Sequence, residues 1–122
     1  MTLKKLINQE SFKPLNLHYT NSGIILWQER FLPHQINRQV ILINYDTIEN
    51  LIEAIQGKER NESFEQIIGE TLHFKREYDG FYLMQNFIDR VKNTIPLQMD
   101  SVFIHEKTIK AFIESLRLLK KM

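Results

Sequence analysis

The stretch FKREYDGFYLMQNFIDRV, residues 74–91, decides the fold because the spacing of its apolar residues changes at Asp79-Gly80. From residue 72 to residue 78 the side chains alternate in character, and a period of two is typical of a strand. After Gly80, apolar residues recur at helical spacing as far as Ile95. The pattern predicts a strand followed by a helix with Asp79 as its N-cap, and a hairpin turn at Asp-Gly is the alternative.

The same periodicities predict further elements on both sides of this stretch. Strands are expected near residues 15–19, 23–29, 39–45 and 101–104, and helices near 2–7, 46–55, 63–69 and 109–119. No internal repeat or domain linker is visible. The prediction is therefore one α+β domain over residues 1–122, with an antiparallel sheet of about five strands and three or four helices packed on it.

The composition excludes several classes of function. The chain has 122 residues, 43% of them hydrophobic and 25% charged, and no cysteine, which removes disulfides, thiolate nucleophiles and zinc–cysteine sites. Absence of cysteine also favours a reducing compartment, so we expect a cytoplasmic location. The apolar runs at 23–27 and 40–43 are much shorter than the roughly 20 residues of a membrane span, and no signal peptide is visible.

No catalytic or cofactor motif stands out in the sequence. The four glycines lie far apart, which is unlike a phosphate-binding loop, and no histidine or acid spacing indicates a metal. We therefore expect a protein that is not an enzyme and that needs neither cofactor nor metal. The alternative is a small metal-free nuclease or hydrolase that uses His18, His73 or His105.

Charge is unevenly distributed along the chain. Net charge is +1, yet residues 46–79 hold nine acids and four bases, while residues 80–122 hold seven bases and four acids. Asp46, Glu49 and Glu53 share one side of a predicted helix. This pattern is typical either of a solvated helix face or of a surface that binds a basic partner.

The leading hypothesis is a non-enzymatic protein-binding module of the bacterial immunity or antitoxin type. Such a protein would cover a basic toxin, often a nuclease, with carboxylates that stand in for substrate phosphates. The predicted partner-binding residues are five acids and three tyrosines: Asp46, Glu49, Glu53, Glu59, Glu62, Tyr45, Tyr78 and Tyr82.

A third hypothesis is a nucleic-acid-binding regulator. Its binding element would be the basic C-terminal helix, with Lys107, Lys110, Arg117, Lys120 and Lys121. The acids of residues 46–79 repel phosphates, so nucleic acid ranks below a protein partner. Trp27 suits either an interface anchor or, the preferred interpretation, an aromatic that covers the core or the sheet.

Overall fold

The computed structural model describes residues 4–10, 12–32, 35–86 and 99–122, and the side chains of residues 30–37 are not among those described. Eight strands and two helices follow one another in this part of the chain. They are β1 (Lys4–Gln9), β2 (Phe12–Tyr19), β3 (Gly23–Leu32), β4 (Gln35–Asn44), α1 (Tyr45–Gln56), β5 (Asn61–Phe64), β6 (Leu72–Glu77), β7 (Gly80–Asn86), β8 (Met99–His105) and α2 (Ile109–Lys120), with a 3-10 turn at Glu106–Thr108.

The predicted fold class is wrong, because the fold is mostly β. Two antiparallel sheets of four strands replace the single sheet of about five: sheet A in the order β1-β2-β3-β4 and sheet B in the order β5-β6-β7-β8. Two of the predicted helices, near 46–55 and 109–119, are confirmed as α1 and α2. The N-cap of α1 is Asn44, and Asp46 lies in the first turn.

The other predicted helices are wrong where the structure describes them. Residues 4–9 form β1, and β5 occupies the start of the segment at 63–69, with no helix between β5 and β6. From Gly80 the chain forms β7, so the alternative prediction of a hairpin is confirmed. The two turn residues are Tyr78 and Asp79, and Gly80 already pairs with Glu77. Residues 87–98, the rest of the predicted helix, lie outside the described residues.

The order of elements repeats. The first unit consists of β1–β4 and α1, and the second unit consists of β5–β8 and α2. The registers repeat as well, because Leu17 opposite Leu26 in sheet A corresponds to Phe74 opposite Leu83 in sheet B. Residues of β1–β3 thus correspond to residues 57 positions later, and those of β4 and α1 to residues 61 positions later. Ten of these pairs are identical: Gln9/Gln66, Leu15/Leu72, Gly23/Gly80, Leu26/Leu83, Gln28/Gln85, Ile43/Ile104, Thr47/Thr108, Ile48/Ile109, Ile52/Ile113 and Glu53/Glu114.

One hydrophobic core draws on both sheets and both helices. Strands give it alternate side chains, such as Ile24 and Leu26 of β3, and each helix gives it an apolar stripe such as Ile48, Leu51 and Ile55 of α1. The alternating side chains form an outer face on each sheet, away from the helices. This arrangement leaves two separate sheet surfaces for function.

The edges of β4 and β8 meet without pairing to each other. Their backbone groups bond instead to side-chain amides of the opposite unit: Gln9 and Gln28 reach β8, and Gln66 and Gln85 reach β4. An exposed sheet edge invites pairing with another chain, and these amides cover both edges. The glutamines therefore fix how the two units, and their outer faces, are placed relative to each other.

Candidate functional site

The outer face of sheet A carries an aromatic and basic cluster that we call the Trp27 cluster, formed by Lys4, His18, Trp27 and Arg38. Trp27 lies on β3, with His18 on β2 and Arg38 on β4 at neighbouring positions of the same face. Lys4 of β1 lies directly opposite His18. The antiparallel registers thus bring together four side chains that are far apart in the sequence.

Direct contacts hold the cluster together. The indole Nε1–H of Trp27 donates a hydrogen bond to Nε2 of His18 at 2.9 Å. The guanidinium carbon of Arg38 lies 4.0 Å from the centroid of the Trp27 ring, which is within cation–π range. Trp27 and His18 are half-buried, and Arg38 and Lys4 are exposed. The arrangement offers a flat ring system with two cations in solvent.

The pKa of His18 responds to the charges on this face. Burial lowers the pKa of His18 from its ordinary value of 6.5, and the positive charges of Lys4 and Arg38 lower the pKa further. The bond from Trp27 also requires an unprotonated Nε2 on His18. Glu29 on β3, opposite Arg38, places an acid on this face. The imidazole is therefore a neutral acceptor at neutral pH, and the local field is positive.

The acidic residues predicted to bind a partner lie on and just after α1. Glu53, Glu59 and Glu62 line one open depression of about 320 Å³, together with Asn50, Ala54 and Phe64. Asp46 and Glu49 are exposed on the same helix. The Glu49 carboxylate lies 3.7 Å from the ammonium of Lys120, an exposed pair that contributes little to stability.

The three predicted tyrosines do not join these acids. Tyr45 donates its hydroxyl hydrogen bond to the Thr20 carbonyl, and its ring lies 5.7 Å from that of Tyr19. Tyr78, in the turn after β6, and Tyr82, on the outer face of β7, line a different depression of about 440 Å³. The predicted partner-binding set therefore divides among three places.

The histidines of the enzyme alternative occupy three separate settings. His18 belongs to the Trp27 cluster, His73 Nδ1 lies 2.8 Å from the Ser63 hydroxyl, and His105 Nδ1 accepts the backbone N–H of Lys107 at 3.1 Å. Within the described ranges, no three His, Asp or Glu side chains are placed to hold a metal ion. The structure does not bring these histidines together.

Two of the bases that the third hypothesis places in the C-terminal segment already have acidic neighbours. The ammonium of Lys107 lies 3.3 Å from Glu10, and that of Lys120 lies 3.7 Å from Glu49. Lys110, Arg117 and Lys121 are exposed. Lys4 and Arg38 were not predicted as functional residues, because their place beside His18 and Trp27 follows from strand registers and residues 2–7 were predicted as a helix.

Comparisons with known proteins identify a fold but no family. No family model and no curated protein matches the chain. A solved structure of MRP1/MRP2 from Trypanosoma brucei is similar, with a TM-score of 0.55 and 14% identity, over 95% of this chain and 90% of that chain. At such low identity the likeness concerns the fold alone. Of the helices described, none has the length and apolarity needed to cross a bilayer.

Proposed function

We propose that this protein is a non-catalytic binding module that takes single-stranded nucleic acid on the outer face of sheet A. The observation that carries the proposal is the Trp27 cluster, in which the Arg38 guanidinium lies 4.0 Å from the indole centroid. Proteins bind unpaired strands by stacking bases on aromatic rings or guanidinium planes beside cations that neutralise the phosphates. The cluster supplies both kinds of group on one surface.

The nearly balanced net charge does not decide against this function. Phosphates respond to the local field, and the acids of residues 46–79 lie on other parts of the surface, around α1 and on sheet B. A flat sheet face suits unpaired strands, because the faces of bases in a duplex are already stacked. Neutral His18 adds a ring nitrogen and a planar surface without adding charge. A strand crossing the sheet would then stack at Trp27 and bring phosphates to Arg38 and Lys4.

The test measures anisotropy of a labelled oligonucleotide at about 50 mM salt, where phosphate contacts are strong. Single strands should bind more tightly than duplexes. Arg38→Gln should weaken binding and reduce the slope of log affinity against log salt by about 0.7, the value of one phosphate contact on a single strand. Trp27→Ala should weaken binding by about 5- to 150-fold, which corresponds to the loss of one stacked base.

Lys110→Gln is the matched control, because Lys110 is an exposed base on α2 and belongs to the earlier hypothesis about the C-terminal helix. We expect its affinity to equal that of the unaltered protein. Since Trp27 is half-buried and its replacement can disturb the sheet, the exposed Arg38 is the decisive position. Equal affinity for Arg38→Gln, or a larger loss for Lys110→Gln, would contradict the assignment to sheet A.

A second candidate is the immunity or antitoxin function, favoured by the depression that Glu53, Glu59 and Glu62 share. In that function the protein would dock these carboxylates, with Asp46 and Glu49, on a cationic toxin. Glu49→Lys combined with Glu53→Lys should weaken binding to a toxin captured from the native host and leave the unfolding midpoint nearly unchanged, since both side chains are exposed. Unchanged affinity by calorimetry would count against it.

Both candidates suit the cytoplasm. A chain without cysteine does not depend on oxidation, so a reducing compartment costs it no stability. We therefore propose a cytoplasmic location for either function. A fluorescent fusion in the native host, followed by fractionation, checks this placement.

A further inference from the structure

The outer face of sheet B holds a depression of about 440 Å³ that we call the aromatic depression. Four aromatic side chains, Phe12, Tyr78, Tyr82 and Phe103, line it together with Glu77, Asp79 and His105. We propose that the aromatic depression binds an arginine side chain presented by a basic segment of a protein partner. This inference does not depend on nucleic-acid binding at sheet A.

The repeated architecture separates what the fold requires from what it does not. At the positions of Tyr82 and Phe103, the first unit has Ile25 and Leu42, so the rings are particular to the second unit. In the first unit, the aliphatic residues Ile25 and Leu42 are sufficient to cover these positions of the sheet. The rings therefore answer to something other than the packing that both units share.

The turn between the strands changes in the same way. In the first unit Thr20 stabilises the turn, because its hydroxyl oxygen accepts the backbone N–H groups of Ser22 and Gly23. The corresponding residue in the second unit is Glu77, and the turn itself is Tyr78-Asp79. Two acids and an aromatic thus replace small uncharged residues at the rim of the depression.

The rings form a continuous wall. Phe103 is only 5% exposed and lies at the centre, with ring centroids at 4.9 Å to Phe12 and 5.0 Å to Tyr82. Phe12 is 40% exposed and comes from the first unit, whereas Tyr78 is fully exposed at the rim. Large rings left in solvent beside buried ones are typical of surfaces that bind a partner.

The chemistry of the wall and rim favours a guanidinium. Aromatic faces attract cations, and a planar guanidinium can stack on a ring while donating two parallel hydrogen bonds to a carboxylate. The only base paired with these acids in the described part of the chain is Lys75, whose ammonium lies 3.4 Å from Glu77. Because this pair is exposed, an incoming arginine can displace the lysine at small cost.

The shape favours a side chain carried on a polypeptide. The depression is open, its rim includes a fully exposed tyrosine, and its volume exceeds that of one guanidinium, so residues on either side of the arginine also find room. Small-molecule sites usually enclose most of their ligand. The carboxylates also repel phosphates, which separates this surface from the one proposed for nucleic acid.

The test titrates the full chain with a short, otherwise neutral peptide that contains a single arginine, and follows backbone amide shifts by NMR. Shifts should concentrate at Tyr78, Tyr82 and Phe103. The same peptide with citrulline, which keeps the shape but lacks the charge, should bind at least about five-fold more weakly, the value of one cation–π contact. A third peptide, with lysine in place of the arginine, should bind with an affinity between those of the other two, because lysine keeps the charge but lacks the planar donor pair.

Variants then assign the contacts. Glu77→Gln combined with Asp79→Asn should weaken binding of the arginine peptide by about three- to ten-fold and leave the affinity for the citrulline peptide unchanged. Glu114→Gln, an exposed acid on α2, is the control and should bind as the unaltered protein does. Tyr82→Phe keeps the ring and should retain binding, whereas Tyr82→Leu should lose it.

Two results would overturn the inference: equal affinity for the arginine and citrulline peptides, or full affinity in the Glu77/Asp79 variant. Shifts confined to Trp27 and its neighbours would also overturn it, because they would place the peptide on sheet A. Arg38→Gln, the test of nucleic-acid binding, should leave the arginine peptide unaffected. Failure of one proposal is therefore distinguishable from failure of the other.

Discussion

Gln28 and Gln85 make the same pair of backbone hydrogen bonds in opposite halves of the molecule. Oε1 of Gln28 accepts the N–H of Phe103 and its Nε2 donates to the carbonyl of Phe103, each at 3.0 Å. Gln85 binds the N–H of Leu42 at 2.8 Å and the carbonyl of Leu42 at 3.0 Å. Each side chain, buried on its own sheet, thus satisfies the edge strand of the other.

Replacing either glutamine with methionine should therefore destabilise the fold while preserving side-chain volume. In Gln28→Met the Phe103 carbonyl keeps its bond from Gln9, but the Phe103 N–H is left unpaired in a buried setting. An unpaired buried donor costs about 1–3 kcal/mol. We expect a loss of that size in the free energy of unfolding, measured in urea.

The two substitutions should add when combined, because Gln28 and Gln85 share no bonding partner. Gln56→Met, at an exposed position of α1, is the control and should change the free energy of unfolding by less than about 0.5 kcal/mol. A loss no larger than that of the control would mean that water replaces the hydrogen bonds of the glutamines between the two units.

Gly80→Ala should also destabilise, because β7 and β8 approach each other too closely for a side chain. A Cβ at Gly80 meets the backbone carbonyl of Ile104 and the Phe103 ring, and a Cβ at Gly23 meets the corresponding carbonyl of Ile43. Backbone cannot move aside as a flexible side chain can, so we expect either alanine to cost more than about 1 kcal/mol in thermal or urea unfolding.

Gly57→Ala serves as the comparison for both positions. The nearest atom to its added Cβ belongs to the flexible carboxylate of Glu59, and the φ angle of −85° at Gly57 suits other residues. Its loss of stability should be the smallest of the three. Equal losses at all three glycines would contradict the close-approach explanation for the two hairpins.

The helices were predictable because their apolar stripes face the core from one side only. Ile48, Leu51 and Ile55 of α1 are buried as the spacing predicts, and so are Phe112, Leu116 and Leu119 of α2. In β7 the buried residues Phe81 and Leu83 alternate with Tyr82 and Met84, which are also large and apolar. When both faces of a strand are apolar, the alternation of apolar and polar residues disappears. The spacing of apolar residues in this segment therefore predicted a helix.

The repeat was hidden for a similar reason. Most corresponding residues keep only their burial, as Leu17 and Phe74 do, and identity survives where backbone geometry demands it, as at Gly23 and Gly80. The Trp27 cluster was equally out of reach, since it needs the register of four strands. Only local features, such as the acids along α1, could be placed from the sequence.

Phe112→Ala tests whether the two units unfold together, as expected when the buried residues of both form one cluster. The ring of Phe112, on α2, is fully buried and its centroid lies 6.0 Å from that of Phe81 on β7, which in turn lies 5.2 Å from Phe74. Removing a buried ring costs about 3–5 kcal/mol. We expect such a loss in a single cooperative transition; Leu118→Ala, at an exposed position of α2, should be nearly neutral.

Stability should fall on mild acidification, and His18 should account for a measurable part of the fall. The folded protein holds the pKa of His18 below 6.5, because burial and then the charges of Lys4 and Arg38 disfavour the imidazolium. The unfolded chain takes up a proton near pH 6.5, so just below this pH it binds more protons than the folded protein. Stability is therefore lost as the pH falls from 6.5, while above that pH His18 contributes no dependence.

His18→Gln removes this titration and keeps an oxygen that can accept the Trp27 bond. Because Trp27 is the chain's only tryptophan, its fluorescence reports both unfolding in urea and the state of the cluster. Between pH 7 and pH 5 the urea midpoint of the unaltered protein should fall more steeply than that of the variant. Parallel pH profiles would show that His18 takes its proton as easily in the folded protein as in the unfolded chain, and the positive field assigned to the Trp27 cluster would then be wrong.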